Sequence, residues 1–379
     1  QDSLTVHRYI SASDFKNSLD DIESNLRFRN DEDFANIISA AYFLDYKRLY
    51  NYIVDKDGKK SMDVAIVGNN EISRVLFSFI FSIANVKGVD LNISFYDKNP
   101  KKFYDDMLRE NPLLAKTTEI SLNSKLSMSN INEKITDQPY AYINFLSSKE
   151  KIDQSYILIL DKTGYDYYNL ADSLYNEFKD DSQKRVILNY SRNNHEVDIR
   201  HGKNIEFYNL DLASTLTFRN KNHNDEILDK AFSIYRLHAM KNFGERIDYN
   251  SIWESFSKDD FYNLKSSIRV ALSIEYLIYM AGIDDTDDRE FLFYNKVVKA
   301  YQDEDELNIR DILAECEHHS WNRFMIAQGF KLPSEAELNS YAYVDQKSYA
   351  DFQNKFHPLI VNTHINRVKK GENDELDEI

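Results

Sequence analysis

Apolar residues follow two rhythms along this chain, and the change falls near residue 224. Between residues 61 and 223 they gather into short runs: 62–67 (MDVAIV), 91–96 (LNISFY), 140–145, 156–160, 186–190 and 205–208. Runs of that length, filled at successive positions, predict strands covered on both faces. Helical or polar material separates them, including a helix from the end of the first run to about Ala84. Such alternation predicts a parallel sheet with crossover helices. From about Asn224 the strand signals stop. Residues 225–243 predict a long helix, and 267–282 (SIRVALSIEYLIYMAG) and 312–330 (ILAECEHHSWNRFMIAQGF) keep apolar residues at helical spacing. Ahead of the sheet, 34–52 has the same spacing, Ser13-Asp14 can cap a helix, and the polar turn 56–60 closes this part.

The organisation expected is therefore an N-terminal helical segment (1–60), an α/β domain (61–223), a linker helix (224–244), a helical domain (245–366) and a charged tail (367–379). A chain of 379 residues can build two or three cores. At 42% hydrophobic and 13% aromatic it is globular, but its 9 glycines leave little room for glycine-rich phosphate loops. The net charge of −16 argues against a nucleic-acid binder, which needs a dense basic face, while leaving a local basic pocket open. The single cysteine, Cys316, excludes an intrachain disulfide and argues against a cysteine-based structural zinc site, which fits a cytoplasmic setting. The most apolar stretch, 75–84, is too short to cross a bilayer. Because the chain begins at Gln1 without a signal-peptide pattern, an apolar membrane segment upstream is an expectation, and it would put these residues at the cytosolic face of a membrane.

The first crossover tests for a dinucleotide. A dinucleotide turn uses three glycines: for the tight bend, for backbone approach to pyrophosphate, and for helix packing. Here the turn reads Gly68-Asn69-Asn70-Glu71-Ile72-Ser73. Gly68 keeps the first role and Ser73 is small enough for the third. Asn70 replaces the middle glycine, and Glu71 puts a negative charge at the helix end that attracts phosphate. Asp97 ends the second strand. This strand, turn and acidic position resemble the TrkA-N domain of potassium-channel regulators. The resemblance implies a Rossmann-like fold in which Gly68 and Asp97 mark a degenerate cofactor site. No cofactor is expected, and tight NAD(P) binding is expected to be lost.

The densest chemistry lies in 312–330, where Glu317, His318, His319, Trp321, Asn322 and Arg323 fall within two helical turns. Residues three or four apart share a face, which groups Glu317 with Trp321, His318 with Asn322, and His319 with Arg323. With His357-Pro358 downstream, the run resembles the bacterial form of the ryanodine-receptor-type repeat (RyR) domain, except that Ser320 stands where a basic residue is common. Trp253 resembles that domain's opening aromatic position, and 267–282 its first main helix. The resemblance implies two similar helical hairpins closing at Ala281-Gly282 and Gln328-Gly329, with a groove between 267–282 and 312–329. Trp253, Tyr276 and Trp321 are candidates for its walls. Glu317, His318 and Trp321 form the expected inner set, with Arg323 nearer a rim or a partner helix and His357 a further candidate.

Plainer readings stand beside these. Trp321 on a helix can be core, Glu317 and His318 can be a hydrogen-bonded pair, and His357 can order an extended segment. Consecutive helical residues project about 100° apart, so Glu317, His318 and His319 cannot chelate one metal, and no metal site is expected. The acidic run 284–288 lacks calcium-loop spacing and reads as a solvated loop, with His195 and His201 as surface residues. No nucleophile elbow or Walker loop occurs. The function expected is a non-enzymatic ligand sensor, a homo-oligomer that binds a small nucleotide-derived molecule. An NAD(P)-dependent oxidoreductase with a helical substrate domain predicts cofactor retained on purification; a protein-interaction scaffold predicts no small-molecule response.

Overall fold

The computed structural model describes residues 32–97, 100–111, 113–114, 129–133, 154–161, 165–191, 198–210, 226–243, 262–283, 288–302 and 307–330. Trp253, His357, His195, the run 140–145, the Ser13-Asp14 cap, most of 284–288 and the tail lie outside these residues. In chain order come α1 (Glu32–Tyr46), a 3-10 turn (Leu49–Tyr52), β1 (Val54–Lys56), β2 (Lys59–Val67), α2 (Glu71–Ile83), β3 (Val89–Tyr96) and α3 (Pro100–Glu110). β4 (Ser129–Glu133), β5 (Tyr156–Asp161), α4 (Tyr165–Phe178), β6 (Arg185–Ser191), β7 (Asp198–His201) and β8 (Ile205–Leu210) complete the α/β part. A helical region follows: α5 (Glu226–Phe243), α6 (Tyr262–Met280), α7 (Arg289–Gln302) and α8 (Leu307–Ala327).

The strands form one mixed, mostly parallel sheet ordered β4-β3-β2-β5-β6-β8-β7, with β1 also paired to β2. β2, β3, β4, β5, β6 and β8 run parallel; β1 and β7 are antiparallel additions. β3 lies along β2 from Lys60 to Val67, while β2's other edge is shared, β1 taking residues 59–61 and β5 residues 64–67. The chain thus builds outward from β2 through β3 to β4, then returns to the other side of β2 at β5. Strand addition reverses between β2 and β5, the point in an open α/β sheet where a crevice forms above the strand ends.

Successive residues of the central strands serve opposite faces. Met62, Val64 and Ile66 enter one core with Tyr156, Leu158 and Leu160. Ala65 and Val67 enter the other with Ile157 and Ile159, under Leu170, Ala171, Leu174 and Phe178 of α4. The continuous apolar runs are explained by this double burial. On the first face α2 packs with α1, and the same core continues through Ile268, Leu272 and Tyr276 of α6 to Phe324 and Ile326 of α8. Helix α2 is buried nearly all round because the sheet lies under it and α8 lies along it.

The turn at 56–60 is a hairpin, not the end of a separate helical part. Asp57 (φ 54°) and Gly58 (φ 81°) both take the left-handed conformation, as a two-residue hairpin requires, and they join β1 to β2. Helices α6 and α8 end alike. Ile283 N–H donates to Ile278 O and Gly282 N–H to Tyr279 O; Phe330 N–H donates to Met325 O and Gly329 N–H to Ile326 O. Both are paired C-terminal caps, with glycine at φ 68° and 82°. Among the described residues no helix is long and apolar enough to cross a membrane.

Candidate functional site

The turn after β2 closes upon itself. Gly68, at φ 103°, takes a backbone conformation that only glycine adopts at low strain, and its N–H donates to Tyr96 O at 2.8 Å. Asn70 caps α2: its Oδ1 accepts from Ser73 N at 3.1 Å, while Ser73 Oγ accepts from Asn70 N at 3.2 Å. Ser73 Oγ also lies 2.6 Å from Gly68 O. The other half of the Asn70 amide, Nδ2, reaches across the strand reversal and donates to Leu160 O at 3.1 Å. Asp97 Oδ2 accepts from Asn69 N at 3.0 Å. A backbone N–H and a side-chain amide that could meet a phosphate are therefore turned inward. Glu71 stands exposed in the first turn of α2, where it repels an approaching anion.

The expected groove between the two glycine-capped helices is bridged by side chains. Arg269 of α6 is 3% exposed in its side chain, and its Nη1 donates to Glu317 Oε1 at 2.6 Å and to Ser320 Oγ at 3.0 Å. Glu317 Oε2 accepts from Ser273 Oγ at 3.0 Å. The Arg269 guanidinium also lies over the Phe324 ring at 5.9 Å. Beside this clasp the His318 and Trp321 rings lie nearly parallel, 17° apart with centroids at 6.4 Å, and both are half-buried. Asn322 Nδ2 and His318 Nε2 are 3.2 Å apart, the i, i+4 neighbours of one helical face. Arg269 had no place in the sequence-derived set. Its signal was a lone arginine inside the apolar run 267–282.

Two candidates move inward. Tyr276 is no groove wall: it is 2% exposed, and its hydroxyl accepts from Leu49 N at 3.2 Å. Of the two places expected for Arg323, a rim and a partner helix, it takes the second, against α2. It is 3% exposed, its guanidinium 5.6 Å from the Phe81 ring of α2, and burial lowers its pKa to about 10. Tyr276 lies on the face of α6 that meets the 3-10 turn at Leu49, and Arg323 on the face of α8 covered by α2. His319 shares that buried face, and its pKa falls to about 3 because burial disfavours the imidazolium, with Arg323 and His318 adding repulsion.

A second polar hub was also missed. Glu275 of α6, 2% exposed, meets Arg48 at 3.2 Å, Lys230 of α5 at 3.4 Å and Arg289 of α7 at 3.0 Å. Burial raises its carboxyl pKa, with the three cations opposing. The hub ties the loop after α1 to three helices, and its partners lie too far apart in sequence to be paired by spacing. Among the described residues no group of His, Cys, Asp and Glu could hold a metal ion. Set against known families, curated proteins and solved structures, the chain matches none.

Proposed function

We propose that this chain is a non-enzymatic, ligand-responsive regulatory protein: a Rossmann-like unit of the TrkA-N type carrying an RyR-like helical region. A small nucleotide-derived ligand binds at the face formed by Glu317, His318 and Trp321. Its base lies against the His318–Trp321 pair, and its anionic group competes with Glu317 for Arg269. The observation that carries this reading is the Asn70 amide lying across the strand reversal to Leu160 O. A dinucleotide needs bare backbone there, so the sheet serves as a scaffold and the response belongs to the helices. The clasp suits that role because Glu317, its one partly exposed member, carries the charge that a ligand can replace.

A thermal-shift screen against a nucleotide panel that includes NAD(H) and NADP(H) tests the proposal, since a ligand of the folded state raises the melting temperature. The expected result is a rise with a nucleotide that is lost in folded Trp321→Ala, which removes the stacking wall, and enlarged in Glu317→Gln, which frees Arg269 for the ligand's anionic group. A rise with NAD(H) or NADP(H) alone, kept in Trp321→Ala, favours the oxidoreductase instead. No rise with any member favours the scaffold.

A further inference from the structure

A cavity of about 240 Å³ lies away from the clasp, where the α/β part meets the helical region. Val75 of α2, Met107 of α3 and Ala327 of α8 form apolar walls, and Ser78, Asn111 and Gln328 bring uncharged polar groups. Gln328 Nε2 donates to Ser78 Oγ at 2.9 Å, and Asn111 Nδ2 donates to Met107 O at 3.2 Å. At the mouth Arg74 and Glu110 pair at 2.5 Å, both about one-third exposed, joining α2 to α3. The end of α8 is pressed on the end of α3: a Cβ at Gly329 would stand 2.8 Å from Glu110 O. The space is therefore framed by three well-anchored helices.

Charge selects the ligand class. Arg74 and Lys265 bring two positive charges to the lining and Glu110 one negative. α3 and α8 both end beside the cavity, at Glu110 and Ala327, and each helix C-terminus adds about half a negative charge. The sum is close to zero, so neither an anion nor a cation is favoured. Apolar walls with hydroxyl and amide edges suit a flat, neutral ring that carries both donors and acceptors. We propose that this cavity is a second binding site, for a neutral heterocycle of the size of a nucleobase. It shares no residue with the clasp, and a ligand here touches both the sheet-side helices and α8.

Saturation-transfer NMR on the full chain with free adenine and 5-fluorouracil near neutral pH tests this, with benzoate as an anionic ring of similar size. Saturation should reach both bases and reach benzoate at least threefold less. Ala327→Phe and Val75→Phe fill the cavity from opposite walls, and either folded variant should abolish transfer. Ser78→Ala should weaken base binding roughly fivefold, the effect of one neutral hydrogen bond. A folded Trp321→Ala should leave transfer to the free bases unchanged, which separates this site from the nucleotide response at the clasp. Absent transfer in the wild type, transfer that persists in a folded cavity-filling variant, or equal transfer to benzoate overturns the proposal.

Discussion

The turn after β2 and the contact between α6 and α8 are each filled by a protein side chain, but they are filled differently. At the turn the occupant is a neutral amide. Asn70 caps its own helix with one end, through Ser73 three residues on, and binds Leu160 O with the other. At the helix contact the occupant is a charge. Glu317 neutralises Arg269 across two helices, at a place still partly open to water. A local amide network has no affinity to offer an incoming anion. An ion pair between helices can be exchanged for a ligand, because Arg269 needs an anionic partner but not this particular one. The two regions teach that a neutral amide and an ion pair fill a site differently: the first leaves no charge for a ligand to claim, the second does.

Arg269→Leu strikes the clasp hardest. It strands the Glu317 carboxylate between helices and should destabilise the protein by about 3 kcal/mol in urea unfolding, the usual result of removing one member of a buried pair. Asn70→Ala is the matching change at the turn. Loss of the cap and of the bond to Leu160 O should cost about 2 kcal/mol, with no gain of NADH binding by calorimetry. If Asn70→Ala proves the larger of the two, the clasp is weaker than the geometry implies.

A third comparison sets two equivalent glycines against each other. Gly282 and Gly329 share the left-handed conformation, but a Cβ at Gly282 meets nothing within 4 Å, whereas one at Gly329 meets Glu110 O. Both alanine variants should lose about 1 kcal/mol to backbone strain, and Gly329→Ala roughly 1 kcal/mol more from the clash. Equal melting temperatures for the two would deny the close contact between α8 and α3. The last effect is absent at neutral pH and concerns His319. Its folded pKa of about 3 lies below the ordinary 6.5. As pH falls below 6.5 the unfolded chain takes up a proton that the folded chain refuses, so this contribution is complete above 6.5 and is lost on the way down to 3. Stability should drop by about 1 kcal/mol per pH unit there, and His319→Leu should flatten that part of the profile.

What was legible in the sequence follows from locality. Runs 62–67, 91–96, 156–160, 186–190 and 205–208 are strands because both faces of the sheet are covered, which forces successive residues to be apolar. β1 and β7 escaped because they lie at edges with little burial, as Val54-Asp55-Lys56 and Asp198-Ile199-Arg200-His201. β4, Ser129–Glu133, has a single apolar residue to announce it. The glycine caps of α6 and α8 and the His318–Asn322 contact were readable because each is set within one helical turn. The bond from Asn70 to Leu160 O and the Arg269–Glu317 pair join residues 90 and 48 apart, and no spacing rule connects them. Tyr276 was misplaced, and Arg323 left between two places, for a related reason: the face of a helix that meets a neighbour depends on where that neighbour packs.

The central claim is that ligand response resides in the α6–α8 contact and not at the strand ends. Hydrogen–deuterium exchange across the full chain, with NADH and with the nucleotide panel added separately, measures it most directly. The account predicts slowed exchange in Tyr262–Met280 and Leu307–Ala327 with a nucleotide, and no change at residues 68–73 with NADH. Protection centred on 68–73, or protection nowhere with any nucleotide, would contradict it.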